Sequence, residues 1–293
     1  MTTWKIWRAL HNPPALHPVF QRTVLLPPAT LKRRPMGWAG LVVNLVLSLG
    51  QYSPTVLLFL MPLVLLITGI IYGIDCAIRV GSAIAREHEN DTFSLLSLSP
   101  GGGLGASWAM CTSSLYRNRD FERLNEVMRG AVIVGSIILV GGALLTLFLQ
   151  SDKFTRPAIP ALPTVVNLVN LITVLIAVYI EYLQSTVLGS VVGMFVPTFT
   201  ENRLDTSLYT FGGFLFLQIT TYFLAYLIGF VILPSLYERL YIIGDYTEMS
   251  LSILRLTTFF LIREAIITGL WRVIVQRLNA SSSELDLSMQ FAP

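Results

Sequence analysis

The residues able to do chemistry in this chain are few. They are His11, His17, His88, Cys76, Cys111 and a glycine run, Gly101-Gly102-Gly103-Leu104-Gly105. A zinc hydrolase of the H-E-x-x-H type puts two histidines on one helix face around a glutamate base; Arg86-Glu87-His88-Glu89 is not that pattern. Scattered histidines and two separate cysteines supply no ligand set for a metal ion. The sequence carries no G-x-S-x-G nucleophile elbow. The glycine run lacks the Lys-Ser/Thr that reaches the terminal phosphates of a nucleotide, and it follows Pro100 rather than an apolar strand, so it reads as a flexible turn. We expect no catalytic, cofactor or metal site here: the chain is not read as an enzyme and has no ATPase machinery of its own.

Four charges stand in apolar surroundings: Glu181, Arg255, Arg263 and Glu264. A charge in hydrocarbon costs about 2.5–3.5 kcal/mol or more, so such residues face a bundle interior and find partners. One reading makes them a polar patch lining a pathway. A second makes them an intramembrane pair, Glu181 with Arg263 and with Glu264 beside it, that fixes helix packing. A third lays the last helix on the membrane surface with its charges wet. The second and third together rank above the first.

The elements that must position these residues follow from composition. The chain is 54% hydrophobic and 13% charged. Soluble domains carry about 25% charged residues, so the polar surface a soluble fold needs is missing. A helix needs about 20 apolar residues to cross a bilayer. The expected fold class is all-α: a polytopic transmembrane helix bundle of about six spans. They run approximately over 36–52, 55–77, 130–149, 164–197, 207–233 and 251–276. Gly50-Gln51-Tyr52-Ser53-Pro54 breaks the first charge-free run into a hairpin. Residues 1–35 form a basic, interfacial N-terminal segment and 36–277 the membrane domain with a long polar loop at 78–129. Residues 278–293 form a loose, Ser-rich tail.

The first acid is Asp75, while Lys5, Arg8, Arg22, Lys32, Arg33 and Arg34 precede the first expected span. With six spans, fifteen Lys/Arg fall on the side of the N-terminus, 78–129, 197–206 and the C-terminal end, against three on the other. The positive-inside rule then places both termini in the cytoplasm of a multi-pass protein. The basic N-terminus suits lipid headgroups better than nucleic acid. Both cysteines fall on the cytoplasmic side and are expected to be free thiols. Residues 1–34 hold no apolar run of signal-peptide length, so targeting is expected to come from the first span.

The segment after the second span is the most informative: Val80-Gly81-Ser82-Ala83-Ile84-Ala85-Arg86-Glu87-His88-Glu89-Asn90-Asp91-Thr92-Phe93-Ser94-Leu95-Leu96-Ser97-Leu98-Ser99-Pro100. It reads as a polar continuation of the span followed by a short amphipathic element at the cytoplasmic surface, stopped by Pro100. Here the chain resembles membrane permeases of the type-2 ATP-binding-cassette (ABC) exporter class. In them the second span leads into R-E-[RK]-E-x-G-T-x-E-x-L-x-x-[ST]-P. Arg86, Glu87, Glu89, Thr92, Leu96, Ser99 and Pro100 match; His88, Asp91 and Ser94 depart from the usual Arg/Lys, Gly and Glu. The stretch Leu188–Arg203 resembles the family's exit from the fourth span, and the order of parts agrees over about residues 36–277.

The resemblance implies a permease subunit of an ABC-type transporter, an exporter in the cell membrane, working with a second permease copy or paralogue. ATP and magnesium would belong to a separate ATPase subunit. The element at 84–100 would be the coupling-type helix that docks on it, with Arg86, Glu87, Glu89, Thr92, Leu96 and Pro100 at the contact, or with Glu87, Glu89 and Thr92 in the gate's polar network. The loop 101–128 departs from the family. Its charged part, Tyr116–Leu124, reads as a solvated surface helix or as an added contact. That departure keeps an alternative open: a non-transporting scaffold subunit of a larger membrane complex that reuses the fold.

Overall fold

In apolar surroundings a backbone has only itself to hydrogen-bond, so runs of Leu, Ile, Val and Phe become helices. The computed structural model describes residues 1–14, 17–25, 54–98, 102–117, single positions from 121 to 141, 161–200, 202–239, 247–278 and 280. Among the described residues every regular element is helical: α1 (Thr2–His11), α2 (Pro18–Leu25), α3 (Pro54–Glu89), α4 (Phe93–Ser97), α5 (Gly102–Tyr116), α6 (Ala161–Phe195), α7 (Arg203–Tyr226), α8 (Leu233–Arg239) and α9 (Thr247–Arg277). A 3₁₀ turn, Val196–Thr198, closes α6, and a π turn, Leu227–Ile232, joins α7 to α8.

Three stretches are long and apolar enough to cross a membrane: Pro62–Glu89, Ile172–Thr198 and Arg203–Arg239. They overlap the expected spans 55–77, 164–197 and 207–233. The expected span 36–52 lies outside the described residues, as does all of 130–149 but a few positions. The sixth expected span falls in α9, whose apolar run is broken by Arg255, Arg263 and Glu264. Pro100 and the tail 281–293 also lie outside.

Two boundaries differ from expectation. The helix of the second expected span continues past 77 to Glu89, so residues 84–89 of the expected coupling element are the end of α3 itself. Pro234 does not end the fifth span; the helix runs through it to Arg239. A proline inside a helix lacks its N–H and crowds the carbonyl four residues earlier, here that of Phe230. The wider π turn at Leu227–Ile232 covers that carbonyl's position.

The reading of 101–128 as a flexible turn plus a solvated helix is corrected for its first half. Gly102–Tyr116 is a helix, and Leu104, Ala106 to Ser113 and Leu115 are all buried. It packs against α2, α3 and α4. The physical reason lies in its composition: residues 92–116 carry no charge, and a helix apolar all round belongs in an interior. Its length, about 22 Å at 1.5 Å per residue, falls short of a bilayer core. Gly102 takes a left-handed φ of 60° where the chain turns into it. Burial pushes the Cys111 thiol of this helix well above its ordinary range.

The chain divides into two compact units, one of residues 1–124, 181–218 and 263–293, the other of 125–180 and 219–262. In the first unit α3 and α6 meet along small residues. A Cβ added at Gly189 would sit 2.3 Å from the Gly73 carbonyl oxygen; at Gly193, 2.7 Å from that of Ala77; at Gly73, 2.9 Å from that of Ser185. Gly69, Gly73, Ala77 and Gly81 recur every four residues on α3 and face Tyr182, Ser185, Gly189 and Gly193, giving the small-xxx-small seam by which apolar helices approach backbone to backbone.

Candidate functional site

The seam brings α6 to a fixed depth against α3, and one turn along α6 stands Glu181. Arg263 of α9 lies with Nη1 2.8 Å from Glu181 Oε2. The same nitrogen donates to Ser185 Oγ at 3.2 Å and to the Glu181 carbonyl at 3.3 Å. Nη2 donates to Gln218 Oε1 of α7. Gln218 Nε2 and Ser185 Oγ each donate to Glu181 Oε1 at 2.7 Å. All four side chains are at most 2% exposed, so in this conformation none faces a water-filled path. The two charges cancel and each finds hydrogen bonds besides its partner, which is what a buried ion pair needs to survive loss of hydration.

Glu264, expected beside this pair, points elsewhere. Neighbours on a helix project about 100° apart, so Arg263 and Glu264 cannot serve one site. Glu264 accepts hydrogen bonds from the Thr2 and Thr3 amides, and Thr268 Oγ1 donates to Thr2 Oγ1 at 2.9 Å. Its carboxylate therefore satisfies the open first turn of α1, where the helix dipole favours an anion. The N-terminal segment does not rest on headgroups alone. α1 buries Thr3, Ile6, Trp7, Ala9 and Leu10 and leaves Lys5 and Arg8 outward. Trp7 meets Tyr182 and Phe121 edge-on at 5.8 Å, and Tyr116 donates its hydroxyl to the His11 carbonyl at 3.0 Å. Burial lowers the affinity of the His17 imidazole for a proton.

The element at 84–100 is built as a capped helix end. Asp91, where the family pattern has Gly, has φ of 54°, the left-handed region. The Asp91 amide donates to the His88 carbonyl and the Thr92 amide to that of Glu87, both at 3.0 Å. These are the two bonds of a Schellman cap, whose left-handed position suits glycine best and tolerates Asp or Asn. Thr92 Oγ1 adds a bond of 2.5 Å to Glu87 Oε2, and the His88 ring stacks on Phe93 at 4.1 Å. Glu89 Oε1 accepts from the Arg203 amide at 2.5 Å, the first turn of α7. Glu87 and Glu89 each thus commit one carboxylate oxygen, and Thr92 its hydroxyl and amide, within the chain, while Glu89 stays exposed. Arg86 stays exposed, Leu96 is half-buried, and Leu95 on α4 and Leu98 just after it stand out at 68% and 81% exposure.

A substitution series follows. Asp91→Gly should leave stability unchanged or raise it by up to about 1 kcal/mol, and Asp91→Val should cost about 1–2 kcal/mol, since a β-branched side chain is strained at this φ. Melting of the purified variants checks it; equal loss in both would show that the carboxylate matters rather than the backbone.

Sequence reasoning missed the glycine seam, Gln218 and the Glu89–Arg203 contact. Spacing by four along 69–81 and 189–193 carried the first signal; the other two join residues far apart in sequence and left none. No family model, curated protein or solved structure matches the chain.

Proposed function

We propose that this chain is the membrane-spanning permease subunit of an ABC-type transporter, an exporter, with six spans, both termini cytoplasmic, and a separate ATPase as its motor. The observation that carries the reading is the continuity of α3 from an apolar stretch into the capped end at Glu89–Thr92. That end is tied by Glu89 to the start of α7 and followed by a short helix backed by α5. A push on α4 reaches two candidate spans through rigid parts, which is the requirement for coupling. The resemblance at Arg86–Pro100 supplies the motor's identity. Arg86, Glu89, Leu95 and Leu98 are exposed there and would carry the docking contact in this reading.

Gentle detergent purification of the tagged chain tests this. A nucleotide-binding ATPase should accompany it in matching amount, and Leu95→Asp with Leu98→Asp should lower that recovery at least tenfold while the permease stays folded. Redox or pigment subunits without an ATPase would establish the scaffold reading instead.

A further inference from the structure

Of the four charges in apolar surroundings, Glu181 and Arg263 pair and Glu264 bonds the start of α1; Arg255 takes part in neither. It belongs to the second unit, on α9. Its Nε donates to the Gly229 carbonyl at 3.0 Å, and its guanidinium carbon lies 4.2 Å from the centroid of the Phe230 ring. Both partners belong to the π turn. A Cβ at Gly229 would come within 3.3 Å of Arg255 Cγ, so glycine is what lets the arginine lie against the backbone. The Tyr226 ring stacks with that of Phe230, centroids 5.5 Å apart. Among the described residues no carboxylate pairs with Arg255, and its side-chain bond is the one from Nε; the residue is half-buried.

A planar guanidinium fixed by its Nε and its face presents two parallel N–H donors, the geometry that receives two oxygens of a phosphate. The depth is right for one. A span that begins at Arg203 uses about 20 residues to cross the hydrocarbon, which puts Gly229 past it, at headgroup level on the far side. Phe230 and its helix neighbours are apolar and open: Tyr226, Phe230 and Val231 are 61%, 55% and 54% exposed. An acyl chain would cover such a wall; water would not.

We propose that Arg255, held by Gly229 and Phe230, binds the phosphate of a membrane phospholipid whose acyl chain lies along Tyr226, Phe230 and Val231. The proposal rests on α7 crossing a bilayer, and not on transport. Native mass spectrometry of the full chain in detergent tests it, with three probes: palmitoyl-oleoyl-phosphatidylglycerol, the matching diacylglycerol, and inorganic phosphate. The wild type should retain one phosphatidylglycerol and no diacylglycerol. Arg255→Gln should weaken retention at least tenfold, and Gly229→Val, which keeps the charge but displaces it, should do the same. Melting of each variant in lipid-free detergent separates loss of binding from loss of fold. Equal retention by Arg255→Gln overturns the site. Displacement of the lipid by millimolar inorganic phosphate overturns the lipid as its occupant. Failure of the chain to partition into membranes at all would sink the spanning premise, not the site chemistry.

Discussion

Replacing Arg263 by glutamine should remove most of the folded protein from the membrane. The side chain is fully buried and answers a carboxylate that is itself enclosed, so the substitution leaves Glu181 charged and alone. Breaking a buried pair from one side costs about 3–5 kcal/mol, a third or more of the stability of a typical domain. Glu181→Gln should be as harmful. Combining them should be milder than their sum by about 1–3 kcal/mol, because the second change removes a group that the first had orphaned. Thermal denaturation of the three variants in detergent, with the amount recovered from membranes, reads this out. Strictly additive losses would mean that Glu181 and Arg263 do not act as a pair, whatever their distance.

A valine at Gly189 should be comparably damaging by a different route. Its Cβ would lie 2.3 Å from a carbonyl oxygen of Gly73, and the obstacle is backbone, with no flexible side chain to move aside. Overpacking against side chains costs about 1–3 kcal/mol; here α3 and α6 would have to separate, so at least the upper figure is expected. Even alanine should be poorly tolerated. Gly212 is the control: a Cβ there meets nothing within 4 Å, and alanine should be neutral or stabilise by up to about 1 kcal/mol. Melting temperatures of Gly189→Ala, Gly189→Val and Gly212→Ala check the pattern, and a Gly189→Val protein as stable as wild type would rule out the close seam.

Both predictions rest on features of unequal visibility. Glu181 and Arg263 were legible because charges in apolar runs are rare and the two have opposite signs. Glu264 was misassigned to them since adjacency in sequence says nothing of direction around a helix. Helix α5 was hidden by the charges at its ends, Arg86 to Asp91 on one side and Arg117 to Arg123 on the other. Counting charges over 78–129 averaged away the neutral stretch between them. Asp91 was seen as a departure from a family pattern, yet its left-handed backbone explains why the pattern has glycine there. Contacts such as Glu89 with the Arg203 amide, 114 residues apart, depend on how α3 and α7 pack and leave no local trace.

The Glu181–Arg263 pair also sets a timetable. The two residues are 82 positions apart, and ribosomes add about 5–20 residues per second, so the carboxylate is made some 4–16 s before its cation. During that interval Glu181 has the Ser185 hydroxyl and, once α7 follows, the Gln218 amide to bond it, but no cation to cancel its charge. A chain that stops short of Arg263 is therefore left with a carboxylate whose charge is not cancelled.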